Sequence, residues 1–258
     1  MALKIIVCIK TVALQAPDTK GRIPREAYTL NPFDQPALEA ALELKETCGG
    51  HIAILSMGPP WATAALREGL ALGIDRAVLL SDPGLAGSDT LATSTALAAA
   101  LERLKPWDLL LFGSRTADGD TGHVGPQTAL GLDVPMVTGA GKITLAGEEL
   151  RVERKADGLV ENFHMDLPGA VTIHPGGWHL REISLGGIEI SYSEGTIENW
   201  SLADIGLEPD RVGENGSPTR VFSTRPIRRD KACAFIEGPP SEQADQLVDQ
   251  LKDQGLLD

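Results

Sequence analysis

In the segment Leu3–Ile9, LKIIVCI, the five residues after Lys4 form an unbroken apolar run rich in β-branched side chains. A strand with one wet face alternates apolar and polar positions, whereas a continuous run belongs to a strand covered on both faces. That requirement constrains the fold more than any other feature, because it demands helices on both sides of a sheet. The same texture returns in HIAILSMG (51–58), RAVLLSD (76–82) and WDLLLFG (107–113). Helical patterns separate these runs: PALEAALELKE (36–46) with Leu38, Ala41 and Leu42 on one face, PPWATAALREGLALG (59–73), and an Ala/Leu-rich stretch over 88–104. Asp34 is expected as the N-cap of the first helix, with Pro36 in its first turn and Gly49-Gly50 at its end. Regular alternation of strand and helix predicts an α/β fold with a doubly wound, mostly parallel, Rossmann-like sheet.

From about Lys142 the texture changes. KITLAGEELRVERK (142–155) reads as a hairpin around Ala146-Gly147, and ENFHMDL and AVTIHPG as further strands. Residues 176–216 are Gly- and Ser-rich with weak periodicity, which predicts an exposed excursion outside the core. SEQADQLVDQLKDQGLL (241–257) has Leu247, Val248 and Leu251 on one face and is expected to be a docking helix. The expected organisation is an α/β nucleotide-binding domain over 1–175, a recognition excursion over 176–216 and a C-terminal extension over 217–258.

Charge narrows the choice of ligands. The 258 residues carry 23 Lys+Arg against 36 Asp+Glu, a formal charge of −13. Such a field repels phosphate backbones and anionic lipid, so neither nucleic-acid binding nor membrane insertion is expected. Any anionic ligand must be held locally by backbone amides or a few basic groups. Cys8, Cys48 and Cys233 form neither a CxxC pair nor a disulfide framework, which suits the cytoplasm.

Motifs of self-sufficient catalysis are missing. The chain has no GxGxxG after its first strand, no GxxxxGK[ST], no HExxH and no GxSxG, and its five histidines lack ligand spacing. Neither a catalytic residue nor a metal ligand is nominated. What remains is a pocket at the carboxyl ends of the strands, where doubly wound sheets bind ligands. Cys8, Ile9 and Lys10 close the first strand; Asn31, Pro32, Phe33 and Asp34 open a helix; Met57 ends the second strand. Asp118, Asp120, Thr121, Gly122, His123, Val124 and Gly125 occupy the last strand-to-helix loop. Small residues let backbone amides approach a phosphate, and a helix start adds partial positive charge. On residue type alone, the same glycines and aspartates serve equally well as turns and caps.

NPFDQPALEAALELKE (31–46), LSMGPP (55–60), GSDTLATS (87–94) and DGDTGHVGPQTA (118–129), in that order, resemble the β subunits of electron transfer flavoproteins. VERKADGLVE followed by LPGAVT, and GSPT at 216–219, extend the resemblance towards the C-terminal helix. The resemblance implies a heterodimer with an α subunit that carries a FAD, while the β subunit holds a nucleotide. It places nucleotide contacts at Cys8, at Asn31 to Asp34, at Met57 and from Asp120 through Thr128, including Gln127. GSDTLATS, VGP and GSPT resemble the FAD-holding type, with Thr90 and Thr93 facing a second flavin; AMP in that site is the alternative. The partners implied are an acyl-CoA-dehydrogenase-like or other redox protein, with NADH and ferredoxin open. A nucleotide-binding regulator without redox duty is the rival from another class.

The departures matter too. TGHVGP puts His123 where the family commonly has Gln, and GSRTADGD puts Arg115 where Gln is usual. Both side chains are candidates for contact with a phosphate. The stretch HPGGWHLREISLGGIEISYSEGTIENW (174–200) lacks the family's usual basic run, with Arg181 its only Arg or Lys. Trp178, Leu180, Ile183 and Leu185 are the expected apolar anchors for a partner.

Overall fold

The computed structural model describes residues 2–14, 23–24, 27–223 and 233–257. It separates into two units, Met1–Arg220 and Val221–Asp258. In the first, nine strands form one sheet: β1 (Leu3–Cys8), β4 (Gly50–Met57), β5 (Arg76–Leu80), β6 (Leu109–Gly113), β7 (Met136–Ala146), β8 (Glu149–Ala156), β9 (Leu159–Asp166), β10 (Gly169–Ile173) and β11 (Ile197–Trp200). Their order is β11-β5-β4-β1-β6-β10-β7-β8-β9. From β11 to β7 all pairings are parallel, and β7, β8 and β9 close the sheet as an antiparallel meander. Two short strands, β2 (Thr11–Ala13) and β3 (Tyr28–Leu30), pair separately.

The first strand shows why its run is unbroken. Ile5, Val7 and Ile9 enter one core with α1 (Gln35–Cys48) and α2 (Thr63–Ala71). Ile6 and Cys8 enter the other, with α3 (Thr90–Arg103) and Ala129 of α4 (Val124–Gly131). Successive side chains of a strand point to opposite faces, so both faces need apolar cover. The chain leaves β1 for β4 and β5 on one side, then crosses back to β6 on the other. That reversal opens a crevice at the carboxyl ends of β1 and β6.

Residues 176–216 differ from expectation. They add a strand to the sheet, a nine-residue helix α5 (Leu185–Ser193) and a short α6 (Gly213–Gly216). Periodicity fails there because the attachments are single, specific contacts. Trp178 is buried against the first core and its Nε1 donates to Glu43 at 2.7 Å. Arg181 pairs with the buried Glu39 and with Glu46, which holds the Glu46 carboxyl below its ordinary range. Trp200 and Leu202 complete the second core. The second unit contains α7 (Pro240–Asp253), with Leu247 and Val248 exposed. Residues 224–232 of the expected extension, and Asp258, lie outside the described residues.

Candidate functional site

Three strand ends are tied together by two buried side chains. Asn31 is fully buried; its Nδ2 donates to Arg115 O at 2.9 Å and its Oδ1 accepts from Ala117 N at 3.1 Å. It thus straps the loop after β6 to the segment before α1. Asp34 lies at the start of α1 as expected, yet its carboxylate does not cap that helix. It turns back and accepts from Lys10 N at 2.7 Å, because burial leaves the β1 end without another acceptor nearby. A Cβ at Gly113 would sit 2.1 Å from Asp34 Oδ1 and 2.4 Å from Phe33 O, so only glycine lets β6 end against this turn.

Electrostatics follow from that enclosure. Burial pushes the Asp34 carboxyl up to about 7, against the Lys10 N–H bond and with some help from Asp118. Burial, and then the charge of Asp34, push the Cys8 thiol far above its ordinary range, so Cys8 is a packing residue with an inert side chain. On the rim the basic groups already have acidic partners. Lys10 Nζ lies 2.7 Å from Asp118, and Arg115 pairs with Asp120 at 3.2 Å while stacking 4.4 Å over the Phe33 ring. The two rim cations therefore offset the loop's own aspartates.

Helix starts complete the mouth. His123 holds the cap position of α4 in helical geometry (φ −86°, ψ −27°) and supplies no side-chain cap. The first internal bond, Gln127 N to His123 O, leaves the N–H groups of Val124 and Gly125 without an intrahelical acceptor. The start of α3 is capped instead: Asp89 Oδ1 accepts from Leu91 N and Ala92 N at 3.0 Å each. Thr90 and Thr93 lie half-buried on its first turn.

Several residues nominated from sequence do come together: Lys10, Asn31, Phe33, Asp34 and Asp118 interlock around β1 and β6. Thr128 does not offer its hydroxyl, which is buried and donates to Val124 O at 2.7 Å. Ile9 is likewise buried in the core. Met57 is half-buried at the end of β4, and Pro32 and Gln127 are half-buried near the mouth. Thr121 and His123 are exposed, with Gly122 between them. Among the anchors expected for a partner, Trp178 is spent on this chain's own α1, as its indole needs both apolar cover and an acceptor. Leu180 packs partly on the same core, Ile183 is half-buried, and Leu185 is 86% exposed.

Other residues carry weight that sequence reasoning missed. Ser94 Oγ donates to Thr90 O at 2.6 Å and lies 3.3 Å from Val124 O and 3.2 Å from Gln127 Oε1, joining the first turns of α3 and α4. Asp89 Oδ2 accepts from Thr219 N and Thr219 Oγ1, and Ser217 Oγ accepts from Asp89 N. GSDT and GSPT, separate in sequence, are one hydrogen-bonded joint. Ser56 Oγ, beside Met57, is buried with no hydrogen-bond partner among the described residues. A serine at the end of a core strand was the available signal.

Fold and site together define a doubly wound α/β protein with an uncapped helix start at its switch point. The family model described as the electron transfer flavoprotein domain matches residues 23–204. The chain is 39% identical over 267 residues to the caffeyl-CoA reductase-Etf complex subunit CarD of Acetobacterium woodii, covering 99% of this chain and 100% of that protein. It is 35% identical over 265 residues to an electron transfer flavoprotein subunit beta of Thermoanaerobacterium thermosaccharolyticum, at 99% and 100% coverage. It is also 38% identical over 263 residues to the protein FixA of Bradyrhizobium diazoefficiens, at 95% and 90% coverage. The chain belongs to the electron transfer flavoprotein family, as a β-type subunit, and its role is in electron transfer. No helix among the described residues is long and apolar enough to cross a membrane.

Proposed function

We propose that this chain is the β subunit of a heterodimeric electron transfer flavoprotein and holds FAD across the β1–β6 mouth and the first turns of α3 and α4. The observation that carries this reading is the Ser94 junction. It brings the first turn of α3, which carries the half-buried Thr90 and Thr93, against an uncapped helix start. That donor set fits a dinucleotide: amides of Val124 and Gly125 suit a phosphate, Lys10 and Arg115 on the rim neutralise Asp118 and Asp120 beside it, and hydroxyls suit the polar edges of a larger ligand. The orphaned Ser56 hydroxyl fits the same demand. When bound, the flavin supplies the electron-carrying chemistry, and the chain binds and orients it. Because aromatics are only 4% of the chain, the partner α subunit is the proposed cover for the flavin's open face.

The proposed redox partner is an acyl-CoA-dehydrogenase-like or other redox protein; the Acetobacterium relative is a subunit of a caffeyl-CoA reductase-Etf complex. This chain's docking face is α5, led by Leu185. The unpaired cysteines suit a cytoplasmic site of action. The direct test is to purify the heterodimer, denature it and chromatograph what is released. Two FAD per heterodimer are expected. One FAD with one AMP would replace FAD by AMP in this site, and a stable chain with no α subunit and no flavin would sink the redox reading.

A further inference from the structure

Helix α5 is built the wrong way round for a surface helix. Such helices turn large apolar side chains inward and polar ones out. Here Ser191 alone is buried, while Leu185, Ile188, Ile190 and Tyr192 are 86%, 43%, 55% and 71% exposed. Its inward row is Gly187 and Ser191, continued just past the helix by Gly195 at the same spacing of four. A Cβ at Gly187 would fall 2.2 Å from Ala71 O, so the helix lies directly on the end of α2. Two glycines within nine residues also make it a poor helix in isolation.

Apolar packing does not secure its far end. A cleft of about 350 Å³ lies there, bordered by Leu70, Ile74, Arg76, Ile190, Glu194 and Glu198. What crosses from the core to that end is Arg67, on α2. Its Nη1 donates to the carbonyls of Ser191 and Gly195, the latter at 2.6 Å. Its guanidinium lies 5.3 Å from the centre of the Tyr192 ring. A guanidinium here satisfies last-turn carbonyls that the helix cannot, and its charge suits the negative end of the helix dipole.

We infer that Arg67 is the positioning residue for partner recognition: by clamping the carboxyl end of α5 it holds the exposed Leu185, Ile188, Ile190 and Tyr192 in the pose that a redox partner reads. It touches neither partner nor nucleotide. The inference rests on the proposed reading of α5 as the docking face.

The test uses the heterodimer with Arg67→Met, Arg67→Lys and Leu185→Ala. Amide hydrogen exchange needs no partner. Arg67→Met is expected to speed exchange of amides 185–195 by about tenfold or more, with Arg67→Lys between it and wild type. Unchanged exchange at those amides would overturn the clamp, and should Arg67→Met fail to fold, the lysine variant decides alone. Electron exchange with a purified acyl-CoA dehydrogenase is the second readout. Arg67→Met should raise KM for that protein roughly tenfold at nearly constant kcat and unchanged nucleotide content. It should add little to Leu185→Ala in the double variant, since both act through one helix. If Leu185→Ala raises KM and Arg67→Met does not, the positioning role fails and the docking reading stands. If Leu185→Ala leaves KM unchanged, the docking reading fails, and recognition by way of Arg67 falls with it.

Discussion

Helices α3 and α4 begin side by side at the same mouth, but one start is closed and the other open. At α3 the Asp89 carboxylate is fully engaged, capping with one oxygen and binding Thr219 with the other. Partial burial pushes its pKa up, but the bonds from Ala92, Thr219 and Leu91 outweigh that and hold it below the usual carboxylate range. At α4 the cap position falls to His123, whose side chain caps nothing. A carboxylate at a helix start fills the place an anion would take. The contrast therefore separates two duties within one mouth. The α3 start joins parts of the chain, whereas the α4 start leaves its first amides without an intrahelical acceptor, open for the nucleotide proposed above.

The harshest way to break that arrangement is from behind. Gly113→Ala would drive a methyl into Asp34 and the Phe33 carbonyl, which are rigid and cannot yield. A loss of about 3 kcal/mol or more is expected, seen as a fall in the urea midpoint, because overpacking against backbone forces the chain itself to move. A mutant as stable as wild type would mean the strand end and the turn are not in contact. Asp34 sets the next scale. Its carboxyl titrates near 7 when folded, through burial, against about 3.9 when unfolded. Between those values the folded chain holds a proton that the unfolded chain has released. Stability from this group is thus full below pH of about 4, falls as pH rises and is gone above about 7, by on the order of a few kcal/mol. Asp34→Asn keeps an acceptor for Lys10 N–H and should flatten that slope in midpoints measured from pH 4.5 to 7.5. A slope unchanged in the variant would assign it to other groups.

Much of this was legible in the chain itself, for a reason the strands make plain. Double burial writes itself as continuous apolar runs, so β1, β4, β5 and β6 and the alternation of helices could be read directly. The hairpin at Ala146-Gly147 was legible because turn chemistry is local. What failed was everything carried by single long-range contacts. Residues 176–216 looked like an excursion because Trp178, Arg181 and Trp200 attach them one at a time, with no period to detect. Asp34 was read as a cap since residue type shows no direction, and its carboxylate turns to Lys10 instead. Thr128 ends the range of contacts that the resemblance implies, yet its hydroxyl is consumed within the helix. GSDT and GSPT are both visible in the chain, yet a bond between positions 89 and 219 has no signature in either motif.

The finest test compares the two helix starts directly. Asp89→Ala removes a true cap and the Thr219 joint together, so a loss of about 1–2 kcal/mol is expected. Asp89→Asn keeps the cap, because an amide oxygen accepts from Leu91 and Ala92 as well as a carboxylate oxygen does. Its NH2 then meets the Thr219 N–H, donor against donor, so roughly half the loss should remain, all of it at the joint. His123→Ala, at the equivalent place on α4, removes no hydrogen bond that the helix uses and should change stability by less than about 0.5 kcal/mol. The same two substitutions should act in the reverse order on the ligand. An imidazole at an open helix start can reach an anion placed there, so His123→Ala should weaken nucleotide retention several-fold on the order of 1 kcal/mol, and Asp89→Asn should leave it nearly constant. Urea midpoints and equilibrium dialysis of the released nucleotide read the two columns separately. Equal stability losses at both positions would show that α4 is capped after all, and the distinction between joint and binding start would fall.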